Sequence, residues 1–137
     1  MAIVEKLIQV ETDGTISFGN YQLPKKEKAM DFEVAGNLYD LRTFNEITKL
    51  NKDGALLYES IPGTSVHGLK MTDRLVQFKV AGTAETQITM ELSPNTAYNL
   101  FIEGVKLGKI QSNLAGKITF SIDYCSKDPK LVEIKKV

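Results

Sequence analysis

Hydrophobic residues recur with a period of two along most of this chain. Residues 30–34 alternate apolar and acidic side chains, and the longest run of alternation contains Ile118, Phe120, Ile122 and Tyr124. Successive side chains of a strand point to opposite faces, so this spacing predicts half-buried β-strands. Residues 3–8 alone offer an alternative, since their apolar spacing of i, i+4 also suits one or two turns of helix.

Turn residues separate the apolar runs. Asp53-Gly54 lies between residues 47–50 and 55–60, and Glu103-Gly104 lies between residues 98–102 and 105–110. Asp-Gly between apolar runs is a strong hairpin signal. Counting the apolar runs between such turns predicts about ten or eleven short strands at spacings of about 8–12 residues, which is typical of a sandwich or barrel. We therefore expect an all-β, antiparallel β-sandwich that forms one domain over residues 1–137.

Composition narrows the classes of partner. The 137 residues are 42% hydrophobic and 25% charged, as in an ordinary globular protein. Seventeen basic residues balance seventeen acidic ones, so the net charge is zero. This balance lacks the basic surface that nucleic-acid binding needs, and no apolar run approaches the roughly 20 residues of a membrane helix. We expect neither nucleic acid nor membrane as a partner.

The first residues carry no basic segment followed by an apolar core, so they do not resemble a secretory signal. A cytoplasmic location is the default expectation, and a secreted or cell-surface location stays open. Cys125 is the only cysteine, so the fold needs no internal disulfide.

Catalytic residue types are scarce. His67 is the only histidine, and Ser65 shares its strand face without a third group to form a triad. The simpler interpretation of His67 is a surface or turn residue. Cys125 precedes Lys127 by two positions, so a partly activated thiol is the alternative to an inert edge residue. We predict no catalytic residues and no enzymatic activity.

Metal and cofactor signatures are also missing. One histidine and one cysteine cannot build a zinc site, and the sequence contains no EF-hand loop. A calcium ion held in β-loops near Asp13 or Asp53 stays open as an alternative. Neither a dinucleotide-binding glycine motif nor a P-loop is present, so we predict no metal site and no cofactor.

Tyrosines are the available aromatic platforms for a sugar, because the chain has no tryptophan. Three of the five align with aliphatic residues and are predicted to face the core with the hydroxyl at the rim: Tyr58, Tyr98 and Tyr124. The other two flank less regular segments, and Gly19-Asn20-Tyr21 follows a strand directly. The candidate ligand-binding residues are therefore Tyr21, Tyr39, Asn20 and Arg42.

The whole chain resembles a group of small β proteins from clostridia and related bacteria that are labelled endosialidase or uncharacterised. Four segments carry the resemblance: residues 13–21, 31–34, 61–67 and 116–121. Separately, residues 76–134 are similar to the β-sandwich accessory domains of bacterial glycosidases, in which a strand like Tyr98-Asn99-Leu100-Phe101-Ile102 precedes a Gly-x-Ile-x-Phe-Ser strand. The first resemblance implies a sialidase and the second a carbohydrate-binding module.

Arginine content argues against the sialidase. Familiar sialidases bind the substrate carboxylate with a cluster of arginines, since the guanidinium group pairs with it through two hydrogen bonds. This chain has two arginines, Arg42 and Arg74, and is too short for a six-bladed propeller. We therefore expect no sialidase activity.

A binding or assembly module without catalysis is the best interpretation. Two sheets have edges that must be protected or paired, and few charges interrupt residues 97–102 or 117–124. We expect a homo-oligomer, with a dimer as the commonest symmetric solution. The alternative is a carbohydrate-binding accessory module of the glycosidase type.

Overall fold

The structure, a computed structural model, describes residues 3–123 and 125–137. These residues form thirteen strands: β1 (Ile8–Val10), β2 (Ile16–Phe18), β3 (Glu27–Val34), β4 (Asn37–Thr43), β5 (Thr48–Lys52), β6 (Ala55–Ile61), β7 (Ser65–Met71), β8 (Leu75–Ala81), β9 (Thr86–Glu91), β10 (Ala97–Ile102), β11 (Val105–Gln111), β12 (Lys117–Ile122) and β13 (Lys130–Lys136).

Two antiparallel sheets make up the fold, which confirms the all-β, sandwich-like prediction. The seven-stranded sheet has the order β1-β2-β7-β8-β13-β10-β11, and the six-stranded sheet has the order β12-β9-β6-β5-β4-β3. The thirteen strands exceed the predicted ten or eleven. The hairpin predicted between residues 7 and 18 is present as β1 and β2.

The helical alternative for residues 3–8 was wrong. Those residues form turns that lead into β1, and Leu7 has a φ of 70°, which no right-handed helix accommodates. Within the described part of the chain, no helix is long and apolar enough to span a membrane.

Apolar side chains of both sheets meet in one core. At its centre the ring of Tyr58 lies edge-on to the rings of Phe18 and Phe78, with centroid distances of 5.3 Å and 5.8 Å. These three residues belong to β6, β2 and β8, so aromatic packing joins the two sheets. The apolar positions of the alternating segments therefore lie on the inner faces of the sandwich.

Three hairpins turn on two residues that both have positive φ: Ala35-Gly36, Asp53-Gly54 and Glu103-Gly104. Such turns match the right-handed twist of the paired strands, and they require residues that tolerate the left-handed region. The hairpins predicted at Asp53-Gly54 and Glu103-Gly104 are confirmed.

Six connections instead cross between the sheets, and two of them, from β9 to β10 and from β11 to β12, lie side by side. Ser112 fastens them together, because its hydroxyl accepts from the Thr96 N–H (2.8 Å) and donates to the Ser93 carbonyl. The second crossing enters β12 at Gly116, where any Cβ would overlap the Leu92 carbonyl oxygen. This crossing places β12 at the edge of the six-stranded sheet.

Candidate functional site

The two tyrosines proposed as sugar platforms are buried. Tyr21 is 4% exposed and Tyr39 is 7% exposed, so the expectation of free rings was wrong. Tyr39 lies on the inner face of β4 together with Leu41. Two residues before Tyr21, the chain at Gly19, with a φ of 97°, lies too close to the Thr64 carbonyl for any Cβ.

The other two candidate residues do not join them in a site. Asn20 is buried; its N–H donates to Thr43 Oγ1 (2.9 Å), and its Oδ1 accepts from the Gln22 N–H (2.9 Å). Arg42 is half-buried and alternates with the inward-facing residues of β4, so it points to the outer face of the six-stranded sheet. The four residues therefore form no common ligand site, and the carbohydrate hypothesis loses its aromatic platform.

Tyr58 departs from the expectation that its hydroxyl lies at the rim. The side chain is fully buried, and the hydroxyl oxygens of Tyr58 and Ser60 both lie 2.7 Å from Thr64 Oγ1. Burial raises the pKa of Tyr58 above its ordinary value. Thr48 Oγ1 continues the cluster by donating to the Thr64 carbonyl (2.7 Å). These bonds satisfy buried polar groups and hold the segment around Thr64 in place.

Tyr98 meets the expectation of a core-facing ring. It is buried, and its hydroxyl accepts a hydrogen bond from the Ser93 N–H (3.2 Å) beside the crossing from β9 to β10. Tyr124, the third predicted core tyrosine, lies outside the described residues.

A shallow groove of about 330 Å³ on the outer face of the seven-stranded sheet brings Glu11, Ser17 and His67 together. Ser17 donates its hydroxyl proton to Glu11, and its oxygen accepts from the Gly68 N–H (3.0 Å). Gln9 also donates to Glu11 (3.1 Å), and these bonds from Ser17 and Gln9 lower the pKa of the Glu11 carboxyl. A serine whose proton is held by a carboxylate is not the nucleophile of a serine–histidine pair.

The two nucleophiles considered from the sequence, Ser65 and Cys125, are both buried. Ser65 Oγ has no hydrogen-bond partner within the described residues, so it does not pair with His67. Burial raises the pKa of the Cys125 thiol to about 11, which keeps it protonated at neutral pH. Neither group has the activation that covalent catalysis requires.

The carboxylates considered for a loop calcium ion instead stabilise turns. Asp13 Oδ1 accepts from the N–H (3.0 Å) and the hydroxyl (2.6 Å) of Thr15. Asp53 Oδ1 accepts from the Leu38 N–H (2.9 Å). Over residues 3–123 and 125–137, no group of three or more His, Cys, Asp or Glu side chains could hold a metal ion.

The sheet edges are further candidate sites. The expectation that residues 97–102 form an open edge was wrong, because β10 pairs with β11 on one side and β13 on the other. The four strands at the sheet ends are β1, β11, β3 and β12. β1 has only three residues, and both β3 and β11 contain a bulge. β12 pairs with β9 over six residues without any register shift.

Hydrogen bonds around β12 show which of its main-chain groups face outward. Gly116 accepts from the Leu92 N–H (2.6 Å) at the start of the ladder with β9. Lys117, one residue on, instead bonds to Asn113: its N–H donates to Asn113 Oδ1 (2.9 Å) and its carbonyl accepts from the Asn113 N–H (3.1 Å). Along an antiparallel strand the N–H and C=O groups of successive residues point alternately towards one neighbouring strand and away from it. The N–H and C=O groups of Thr119 and Ser121 therefore also point away from β9.

These two residues leave an open edge. Within the part of the chain that the structure describes, no hydrogen bond satisfies the main-chain N–H and C=O groups of Thr119 or Ser121 on the outer side of β12. Their side chains are exposed and uncharged, and Thr119 Oγ1 lies 3.1 Å from Thr89 Oγ1 on β9. An edge strand of this kind is a template for another strand.

Sequence reasoning had identified residues 117–124 as weakly charged, and charge alone was the signal for this edge. β10 is paired on both sides and β12 on only one. The hydrophobic pattern of the sequence does not show which strands become neighbours in a sheet. The chain matches no protein-family model, no curated protein and no solved structure.

Proposed function

We propose that this protein is a non-catalytic assembly module that self-associates by pairing the β12 edges of two copies. The observation that supports this most strongly is the outward-facing main chain of Thr119 and Ser121, which no described residue covers. A second β12 strand offers the same groups, so an isologous antiparallel pair would satisfy both copies.

Charge also favours association between copies. The net charge of the chain is zero, so two molecules approach without the overall repulsion that keeps strongly charged proteins monomeric. The outward-facing side chains of Thr119 and Ser121 are uncharged as well. Since the shared edge is short, we expect a dissociation constant of roughly micromolar order, as for small and transient interfaces.

Carbohydrate binding, the alternative function, has less support. Sugar recognition of this type uses an exposed aromatic ring, and Tyr21 and Tyr39 are both buried. The groove beside Glu11 offers polar groups, but its serine and carboxylate already bond to each other. Self-association is therefore the function that the geometry favours.

Sedimentation equilibrium across a hundredfold range of concentration tests the proposal. We expect the mass to rise from that of one chain, 15.2 kDa, towards twice that value. Thr119→Pro removes an outward N–H without removing a hydrogen bond to β9, and proline is tolerated at such edge positions. This variant should stay monomeric, with a near-ultraviolet circular dichroism spectrum like that of the parent.

Thr119→Ala is the matched control, because it removes the same side chain but keeps the N–H group. It should associate like the parent. A single species near 15.2 kDa at every concentration would overturn the proposal. Dimerisation that survives Thr119→Pro in a folded protein would show that another surface carries the association.

A further inference from the structure

We infer a specific register for this dimer, an inference that rests on the proposed function: β12 pairs with its copy about a two-fold axis at Phe120. In an antiparallel pair with this axis, residue numbers that face each other sum to 240. Thr119 of one copy then faces Ser121 of the other, and the side chain of Lys117 comes near that of Asp123 of the other copy.

The free main-chain groups argue for this register over an axis at Thr119. Thr119 and Ser121 face outward without a partner, whereas Asn113 already satisfies the N–H and C=O of Lys117. With the axis at Phe120, the two reciprocal Thr119–Ser121 pairs use every free group of both residues in four hydrogen bonds. With the axis at Thr119, Ser121 would instead face Lys117 and find its groups occupied.

Side-chain charge selects the same register. Lys117 and Asp123 are the charged residues at the two ends of this edge, and both are exposed. Asn113 occupies the outer main-chain side of Lys117, so an axis at Phe120 brings the lysine side chain near the aspartate of the other copy without main-chain pairing, and opposite charges at that distance attract. An axis at Thr119 would set Lys117 opposite Ser121, and an axis at Ser121 would set Asp123 opposite Thr119, with no charge pairing in either case.

The inner faces of the two copies also fit in this register. Phe120 lies on the axis and faces Phe120 of the second copy. The two residues form a pair without main-chain hydrogen bonds, the type of pair in which side chains approach most closely. Ile118 then faces Ile122 of the second copy. All three side chains are nearly buried within one copy. These side chains therefore place no polar group in the way of the pairing and add little new apolar contact to it.

Charge exchange tests the register. Lys117→Asp places two aspartates opposite each other, and Asp123→Lys places two lysines opposite each other. Each single variant should raise the dissociation constant about tenfold at low salt, because both symmetry-related pairs change from attraction to repulsion. The double variant, Lys117→Asp with Asp123→Lys, should recover the affinity of the parent.

The matched control is a charge reversal at a residue outside the edge. Lys127→Asp, at an exposed position after β12, should leave the dissociation constant within about twofold at the same salt concentration. If the two single variants have additive effects and the double variant does not recover, the register is wrong although the dimer stands.

Cysteine cross-linking separates the remaining outcomes. A mixture of Thr119→Cys and Ser121→Cys proteins should form a disulfide-linked heterodimer under mild oxidation, since facing Cα atoms lie within the range of a disulfide. Thr119→Cys alone should cross-link poorly. Efficient cross-linking of Thr119→Cys to itself would place the axis at Thr119 and overturn the inferred register. A parent protein that is monomeric at all concentrations would instead remove the proposed function itself.

Discussion

The two edge strands of the six-stranded sheet, β3 and β12, differ in how far their outer main-chain groups are protected from pairing with another strand. β3 contains a bulge, at which Met30 and Asp31 together face Asp40 of β4, and Asp31 has a φ of 54°. β12 runs without a bulge, and its outward main-chain groups at Thr119 and Ser121 have no described partner. A bulge twists an edge and interrupts its hydrogen-bonding pattern, so only β12 offers a regular template.

Charge reinforces this difference. β3 places Glu27, Lys28 and Glu33 in exposed positions, whereas the middle of β12 exposes a threonine and a serine. Charged side chains on an edge oppose pairing with another strand. The comparison indicates that one sheet protects one edge by its own geometry, and we propose that a second copy covers the other.

The largest expected effect is a difference between β12 and β3 in how much each strand contributes to the free energy of unfolding. Phe120→Ala should lower the free energy of unfolding by about 3–5 kcal/mol, because Phe120 is buried in the core. Phe32→Ala on β3 should lower it by only about 1–2 kcal/mol, because that ring is half-buried. Chemical denaturation of dilute protein measures both.

Glu91→Ala serves as the control for this pair of variants. Glu91 is half-buried on the outer face of β9, and its truncation should change the free energy of unfolding by less than about 0.5 kcal/mol. A larger loss for Phe32→Ala than for Phe120→Ala would mean that β3, not β12, is the more firmly packed edge.

A single charge should convert the open edge into a protected one. Thr119→Lys should raise the dissociation constant of the dimer roughly thirtyfold, about 2 kcal/mol, because the pairing brings two new lysines close together. Glu33→Gln makes the same change in net charge on β3 and should leave the constant unchanged. Equal effects of the two variants in sedimentation equilibrium would assign the change to overall charge and reject the difference between the edges.

Removing the bulge should open the second edge. Deletion of Met30 leaves one residue opposite Asp40, so β3 and β4 can pair one to one while Ala29 and Phe32 keep facing inward. We expect weak species larger than the dimer at the highest concentrations, detected by light scattering. The same deletion combined with Thr119→Pro should give no more than a dimer. An unchanged dimer after deletion would show that charge alone protects β3.

The smallest effect concerns the bond that holds the bulge. Asp40 Oδ1 accepts from the Asp31 N–H at 2.8 Å, in an exposed position. Asp40→Ala should lower the free energy of unfolding by about 0.5–1 kcal/mol, since only one exposed hydrogen bond is lost. Faster hydrogen exchange should be confined to the middle of β3. Asp73→Ala, at an exposed turn, should change neither quantity.

The sequence identified the fold class and the hairpins better than it identified the site. Alternation placed Ile118, Phe120 and Ile122 on one face, and the structure shows all three in the core. Asp53-Gly54 could be predicted as a turn because two positive φ angles restrict the residues that fit. Both signals are local, so neighbouring residues suffice to read them.

Predictions that depended on exposure were less successful. Tyr21 and Tyr39 were expected to be free because the sequence around them alternates poorly, yet both are buried. Two residues before Tyr21, the chain at Gly19 contacts the segment at Thr64, which is far away in sequence. A local pattern contains no information about such a contact.

The sequence by itself determined the strands, the two-residue turns and the faces that strands present to the core, since each depends on residues within one or two strands. Tertiary structure decided which strands are edges. Residues 97–102 and 117–124 are similarly poor in charge, but β10 is paired on both sides and β12 on one. Pairing between strands distant along the chain is set by the packing of both sheets around one core, so only the folded molecule shows which main chain is left open.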